Sequence, residues 1–252
     1  MGSNERLRAA IAEAGLTSEL LGEDLKVDPK TIDRWIGLGR IPHRRSRQAT
    51  ALRLGKDEHY LWPDALSQSR VEAASTAEVV AVHPNRGSVP AGTWESLLHS
   101  ATDCIDVLAF AATFLHDTIA DFDEIVAARS RAGTRVRLLF GDPESEAVEL
   151  RGREEGLGEG LSARCRLTWL YMKPLLDLPG VEARAHGATL YSSVFRFDDQ
   201  LFANHHAFGA PANHSPVMHL HRIAGGRMFD HQMKAFERVW DDAQPISGAS
   251  FA

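Results

Sequence analysis

The stretch from Cys104 to Phe140 constrains the fold most. An apolar, β-like run from Cys104 to Ala111 leads into a helical segment from about Thr118 to Ala132. Gly133 follows, and then a second apolar run from Thr134 to Phe140. This rhythm is that of two parallel strands joined by a crossover helix, so it predicts an α/β layer. The second run ends in Gly141-Asp142-Pro143, a loop delivered to the C-terminal edge of the sheet, where α/β proteins hold ligands. Asp142 is therefore a pocket candidate, beside its plainer reading as a turn-forming Asp-Pro. Around this centre the pattern predicts a helix at Trp94 to Ala101 and one or two helices across Glu144 to Leu176. Strands are expected at Val181 to Ala185, Thr189 to Phe197, Leu201 to Phe208 and Val217 to Ile223. A last amphipathic helix, Met228 to Trp240, turns Phe229, Met233, Phe236 and Trp240 inward. Phe110, Phe114, Phe195, Phe197, Phe202 and Phe208 read as core.

The first sixty residues follow a different period. Leu7, Ala10, Ile11 and Ala14 recur at helical spacing, and Gly15 ends that segment. Thr17 caps a short second helix bearing Leu20, Leu21 and Leu25. Asp28 caps a third, with Pro29 at its first position and Ile32, Trp35 and Ile36 facing inward. A fourth helix through Ala49, Leu52 and Leu54 and a final turn at Tyr60 to Pro63 complete a five-helix, all-α unit. Helix, turn, helix is the motif that lays its second helix in the DNA major groove. Lys30, Thr31, Asp33 and Arg34 fall outside the buried stripe of the third helix and are the candidates for reading bases, with Thr17 and Ser18 beside them at the start of the second. Arg40, His43, Arg44, Arg45 and Arg47 suit phosphate anchoring.

Charge sharpens that reading. The chain of 252 residues carries a net −6, which taken alone argues against nucleic-acid binding. Residues 1–66 hold eleven Lys and Arg against ten Asp and Glu, whereas the remainder holds seventeen against twenty-four. Within the first part, Lys26 to Lys56 carries nine basic residues against two acidic ones, a local balance of +7. The expected organisation is a DNA-binding domain at 1–66, a linker or connecting helix at 67–80, and an α/β domain at 81–252.

Two families resemble these parts. "LTSELLGEDLKVDPKTIDRWIGLGR", Leu16 to Arg40, resembles the Cro/repressor-like (XRE-type) helix-turn-helix domain, apart from Gly22, which stands where alanine is commoner. The α/β part resembles a single half of the phospholipase D superfamily. There "AGTRVRLLFGDP" is similar to a strand of that family, and "YSSVFRFDD" aligns Tyr191, Ser193 and Asp198 with its HxKxxxxD motif. The resemblance implies chemistry by a histidine nucleophile, a second histidine as acid and lysines on the phosphate. With two of three motif positions changed, no catalytic residue is expected and the domain reads as a retired relative that still binds a ligand.

Ten of the twelve histidines follow residue 80, and His205, His206, His214, His219 and His221 crowd into seventeen positions. His219 and His221 alternate on a strand and share a face. No HExxH or other ligand spacing accompanies them, so no metal is expected; pocket-lining or structural roles stand beside that reading. The candidate ligand set is Asp142, Tyr191, Ser193, Arg196, Asp198, His205, His219 and His221. There is no GxSxG elbow and no nucleotide-binding glycine loop; "GLGEG" at Gly156 to Gly160 reads as a helix break. No cofactor is implied.

Cys104 and Cys165 lack CxxC or Cys/His spacing, and no apolar run approaches the ~20 residues of a spanning helix. A reduced, cytoplasmic protein without a membrane partner is expected, nucleoid-associated when on DNA. The sequence reading is a transcriptional regulator: operator DNA bound by a homodimer, because one helix-turn-helix reads only a half-site, with the second domain sensing a small-molecule effector. The alternative is a phospholipase D-like phosphodiesterase or nuclease targeted to DNA. A third reading is a constitutive DNA binder whose second domain only dimerises.

Overall fold

The computed structural model describes residues 3–65 and 68–251. The chain divides into two compact units, Met1–Thr76 with Ile223–Gly226 and Ala77–Arg222 with Arg227–Ala252. Leu66 and Ser67, where the expected boundary between first domain and connector falls, lie outside the described residues.

The first unit is helical: α1 (Glu5–Glu13), α2 (Ser18–Leu25), α3 (Pro29–Gly37), α4 (Arg44–Leu54) and α5 (Glu58–Leu61), followed by α6 (Gln68–Glu78). The starts of α1, α2, α3 and α5 are set by side-chain caps. Thr17 Oγ1 accepts the Leu20 N–H at 3.3 Å, and Asp28 Oδ1 accepts the Lys30 N–H at 2.8 Å with Pro29 at the first helical position. Leu7, Ile11, Leu21, Ile32, Trp35, Leu61 and Trp62 form the core, where Trp35 and Trp62 meet edge to face at 6.3 Å.

Gly22 acquires a reason that helix propensity alone does not give. Its carbonyl accepts the Val27 N–H at 2.8 Å as the chain folds back between α2 and α3, and a Cβ there would sit 2.7 Å from the Val27 carbonyl oxygen. Glycine costs about 1 kcal/mol of helix preference, but overpacking against a backbone oxygen costs about 1–3 kcal/mol. The turn requires the smaller residue.

The second unit is mixed α/β. An eight-stranded sheet runs in the order β1-β7-β6-β5-β2-β3-β4-β8. The strands are β1 (Val79–His83), β2 (Cys104–Ala109), β3 (Arg135–Gly141), β4 (Val181–His186), β5 (Ser192–Phe197), β6 (Gln200–His205), β7 (Val217–His221) and β8 (Gln244–Ile246). β2, β3 and β4 are parallel; the other pairs are antiparallel. Helices α7 (Ala91–Ser100), α8 (Phe114–Thr118), α9 (Phe122–Arg131), α10 (Glu146–Glu154), α11 (Gly160–Met172) and α12 (Met228–Asp242) complete it. Every residue of β2 is buried, as a parallel strand covered on both faces must be.

Two apolar layers flank the sheet. On one face Trp94 of α7 packs against Phe114, Phe195 and Phe202 with ring centroids 4.5–5.6 Å apart. On the other, Phe229, Phe236 and Trp240 of α12 meet Leu108, Val194 and Leu201. A buried ionic seam crosses this second layer. Asp106, fully buried on β2, stands in register with Arg137 on β3 and Arg196 on β5. Its carboxylate accepts from Arg137 Nε at 2.7 Å, Arg196 Nη1 at 3.1 Å and Arg135 Nη2 at 3.2 Å. The far side of Arg137 forks onto Glu237 of α12 at 2.7 and 2.8 Å, so the seam fastens that helix to the sheet.

Several expectations change here. Val79 and Val80, placed in the connector, open the first strand, β1, which pairs with β7. The carboxylate of Glu78 accepts the Met228 N–H at 2.7 Å, closing the N-terminus of α12 in place of a side-chain cap from Arg227. The helix expected from about Thr118 to Ala132 starts later, at Phe122, because Ile119 is extended, and a separate short helix, α8, precedes it. The strand expected to reach Phe208 stops at His205, and Phe208 is 85% exposed, so it is not core.

Candidate functional site

In the helical unit, α3 buries Ile32 and Trp35 and leaves Lys30, Asp33 and Arg34 exposed, with Thr31 half-buried. Arg40, His43, Arg44 and Arg45 are exposed as well. Among the described residues, Lys30, Arg34, Arg40, Arg44 and Arg45 have no carboxylate partner, whereas Arg53 and Lys56 pair with Asp24 and Glu13. Arg44 and Arg45 occupy the first turn of α4, which holds no acidic residue and no side-chain cap. Cations beside the positive end of a helix dipole cost roughly 0.3–1 kcal/mol each, and the free N–H groups there suit an anion. Arg47 departs from its expected role. It is largely buried, with Nε on Glu58 at 2.6 Å and Nη1 on the Pro42 carbonyl at 2.7 Å, and it fastens α4 to α5. Thr17 is exposed but spends its hydroxyl as the α2 cap, and Ser18 is half-buried.

In the α/β unit the parallel strands end at Ala109, Gly141 and His186, with Phe110 and Asp142 directly after the first two, and the antiparallel neighbours bring Ser193 and His206 to the same edge. A cavity of about 260 Å³ opens there, lined among others by Arg86, Phe110, Arg164, Ser193, His206 and Asn213. Ser193 Oγ lies 3.0 Å from His206 Nε2, while His206 Nδ1 faces the Leu190 carbonyl at 3.2 Å. A carbonyl only accepts, so Nδ1 carries the proton and Ser193 donates to Nε2. Burial, and then the charge of Arg151, pushes the His206 pKa down to about 4. His186, beside Phe110, is 2% exposed; its Nε2 donates to the Ala109 carbonyl at 3.2 Å and its Nδ1 accepts from the Ala188 N–H at 3.3 Å. Burial lowers its pKa to about 4 as well.

The structure separates the expected ligand set. Ser193 reaches the cavity, but Asp198 lies at the other end of β5, about 16 Å away at ~3.3 Å per residue. Asp198 sits at φ 51 and its carboxylate accepts the Thr102, Asp103 and Cys104 N–H groups, each at 2.8 Å. Burial alone would raise its pKa, but those donors hold the carboxyl below its usual range. It fixes the start of β2. Arg196 points to the opposite face from Ser193, as strand alternation demands, and is held by Asp106 and by the Asp198 carbonyl at 2.8 Å. His219 and His221 lie toward the Asp198 end, both bonded to Gln200, at 2.7 and 2.6 Å, with His219 stacked on Phe202 at 4.2 Å. Tyr191 is 82% exposed, and His205 is half-buried with its N–H on the Pro216 carbonyl. Asp142 serves its own turn, accepting the Glu144 N–H at 3.0 Å. Among the described residues, no group of three or more His, Cys, Asp or Glu is placed to hold a metal ion.

Sequence reasoning missed Arg86, Arg164 and His206. Arg86 follows Asn85, which caps a short turn after β1, and its guanidinium lies 3.9 Å from the Phe114 ring centre. The legible signal was Phe110 to Phe114, directly after a buried strand at the ligand edge.

The molecule is thus of a two-unit class, a small helical unit with five exposed basic residues that have no carboxylate partner among the described residues, and a mixed α/β unit with a cavity at its strand ends lined in part by Arg86 and Arg164. The chain belongs to the family described as Domain of unknown function (DUF5919), whose model matches residues 75–204. No match is found among curated proteins. Among solved structures the chain is similar to TrmBL2, an archaeal chromatin protein described as showing a novel mode of DNA binding. The two are 13% identical with a TM-score of 0.41, over 71% of this chain and 60% of that one. It is also similar to Nuc, a phospholipase D family member from Salmonella typhimurium, at 12% identity and a TM-score of 0.41, over 66% of this chain and 97% of that one. The chain therefore spans 60% of the length of the chromatin protein. No helix among the described residues is long and apolar enough to cross a membrane.

Proposed function

We propose that this protein is a sequence-specific, DNA-binding transcriptional regulator of the XRE type. It acts as a homodimer whose phospholipase D-like α/β domain is catalytically retired and takes a small polar or phosphorylated effector. The observation that carries the reading is the exposed set Lys30, Arg34, Arg40, Arg44 and Arg45, held without carboxylate partners on and beside a capped helix pair. Within it, Arg34 reads a base edge and Arg44 holds a phosphate. Selection from a random duplex pool, followed by binding of the enriched duplex at several salt concentrations, tests this. Arg34→Ala is expected to abolish preference over a scrambled duplex. Arg44→Ala is expected to weaken both duplexes alike and to reduce the salt slope by about one. An Arg34→Ala protein with undiminished preference, or a pool that shows no enrichment, would sink the assignment.

A phosphodiesterase is the second reading, favoured by the 3.0 Å contact between Ser193 Oγ and His206 Nε2 in the cavity. Against it, a base whose pKa is near 4 has little pull on a serine proton at neutral pH. Hydrolysis of a phosphodiester by the full chain, lost in Ser193→Ala, would reverse the preference.

A further inference from the structure

We propose that Arg86 and Arg164 form a binding site for the phosphate group of a small molecule in the cavity at the strand ends. The proposal rests on the effector half of the function above and not on its DNA-binding half. Both arginines line the same cavity, Arg86 half-buried and Arg164 exposed, and among the described residues neither has a carboxylate within salt-bridge distance. Arg86 is half-buried with its guanidinium over the Phe114 ring, a contact that satisfies none of its five N–H donors. Burial, and then the charge of Arg164, lowers the Arg86 pKa to about 10, so holding the Arg86 cation here is costly.

The carboxylates nearby do not relieve this. Glu155 is committed to Arg151 at 2.6 Å, and Asp117 is exposed. The two histidines at this edge are neutral at pH 7, because each ring is matched to its neighbours in the uncharged form. Two guanidiniums and two carboxylates therefore line the cavity, and neither carboxylate is paired with Arg86 or Arg164. A phosphate satisfies both forks, since planar guanidinium donors match its oxygens in pairs. At about 260 Å³ the space is just under the roughly 300–1,000 Å³ of drug-sized sites, which fits a small metabolite and not a nucleic-acid strand.

Titration calorimetry of the full chain at constant ionic strength decides the matter, with inorganic phosphate and glycerol phosphate as probes. Saturable binding of at least one probe is expected, weakened roughly tenfold or more in Arg86→Gln and also in Arg164→Gln. Arg166→Gln, which removes an exposed arginine paired with Glu144, should leave it unchanged. Tighter binding of glycerol phosphate identifies the source as a phosphorylated metabolite; tighter binding of inorganic phosphate identifies the free ion. No saturable binding of either probe, or Arg86→Gln binding as tightly as the unaltered chain, overturns the site. Should Arg86→Gln fail to fold by circular dichroism, undiminished binding by Arg164→Gln overturns it equally. Duplex selection on the same preparations tells the two failures apart, since lost phosphate binding with intact duplex preference sinks the cavity assignment alone.

Discussion

Asp106→Ala is expected to lower the stability of the α/β unit by about 3–5 kcal/mol, the range for breaking a buried ion cluster by removing one partner. The magnitude follows from what remains. Arg137 and Arg196 flank the vacated position in register on both neighbouring strands, and Arg135 reaches it from 3.2 Å. Arg137 keeps Glu237, but Arg196 retains only the Asp198 carbonyl and the Phe229 ring face. Arg137 and Arg196 have little access to water, so their desolvation is no longer offset. Urea unfolding followed by tryptophan fluorescence measures the loss. A change below about 1 kcal/mol, typical of an exposed pair, would show the seam to be dispensable.

Stability should also fall steeply on mild acidification, well before the carboxylates titrate. His186 and His206 have folded-state pKa values near 4 against an ordinary 6.5, so the unfolded chain binds the extra protons first. Stability from these rings is therefore complete above pH 6.5 and is lost as pH falls toward 4. At about 1.4 kcal/mol per pH unit for each ring, the pair removes about 4 kcal/mol by pH 5. The hydrogen bonds give the reason. Protonating His186 sets an N–H against the Ala188 N–H, and protonating His206 takes the acceptor from Ser193. His219, lowered to about 4 by burial and then by the charges of His83 and His221, adds a smaller amount because it is only half-buried. Equal unfolding free energies at pH 7.5 and pH 5 would contradict the assignment of neutral, structurally matched rings.

Much of the local structure was legible because its causes are local. Thr17, Asp28 and Pro29 announce helix starts within a few residues, and Cys104 to Ala109 is apolar enough to read as a covered strand. The site was less legible because its partners are distant in sequence. Asp198 aligned with a motif position, yet its role is set by N–H groups more than ninety residues earlier, and Arg196 answers to Asp106 in the same way. The parting of Ser193 from Arg196 is the exception, since it follows from numbering alone. The two differ by an odd number, so a single strand cannot present both to one pocket. His206 and Arg86 carried no periodic signal, since both lie in loops whose approach to the cavity depends on the whole sheet.

The two margins of the sheet are unlike, and this gives growth of the sheet a direction. β8 has three residues, and Pro245 at its centre has no N–H to offer a neighbour. β1 has five residues, free of proline, with Val80 and Val82 55% and 65% exposed. An open row of backbone donors and acceptors templates further strands, and the chain has blunted one row far more than the other. Self-association by strand addition, in a stressed or truncated form of the protein, would therefore start from β1, and a lysine at Val80 or Val82 is where a soluble variant would begin.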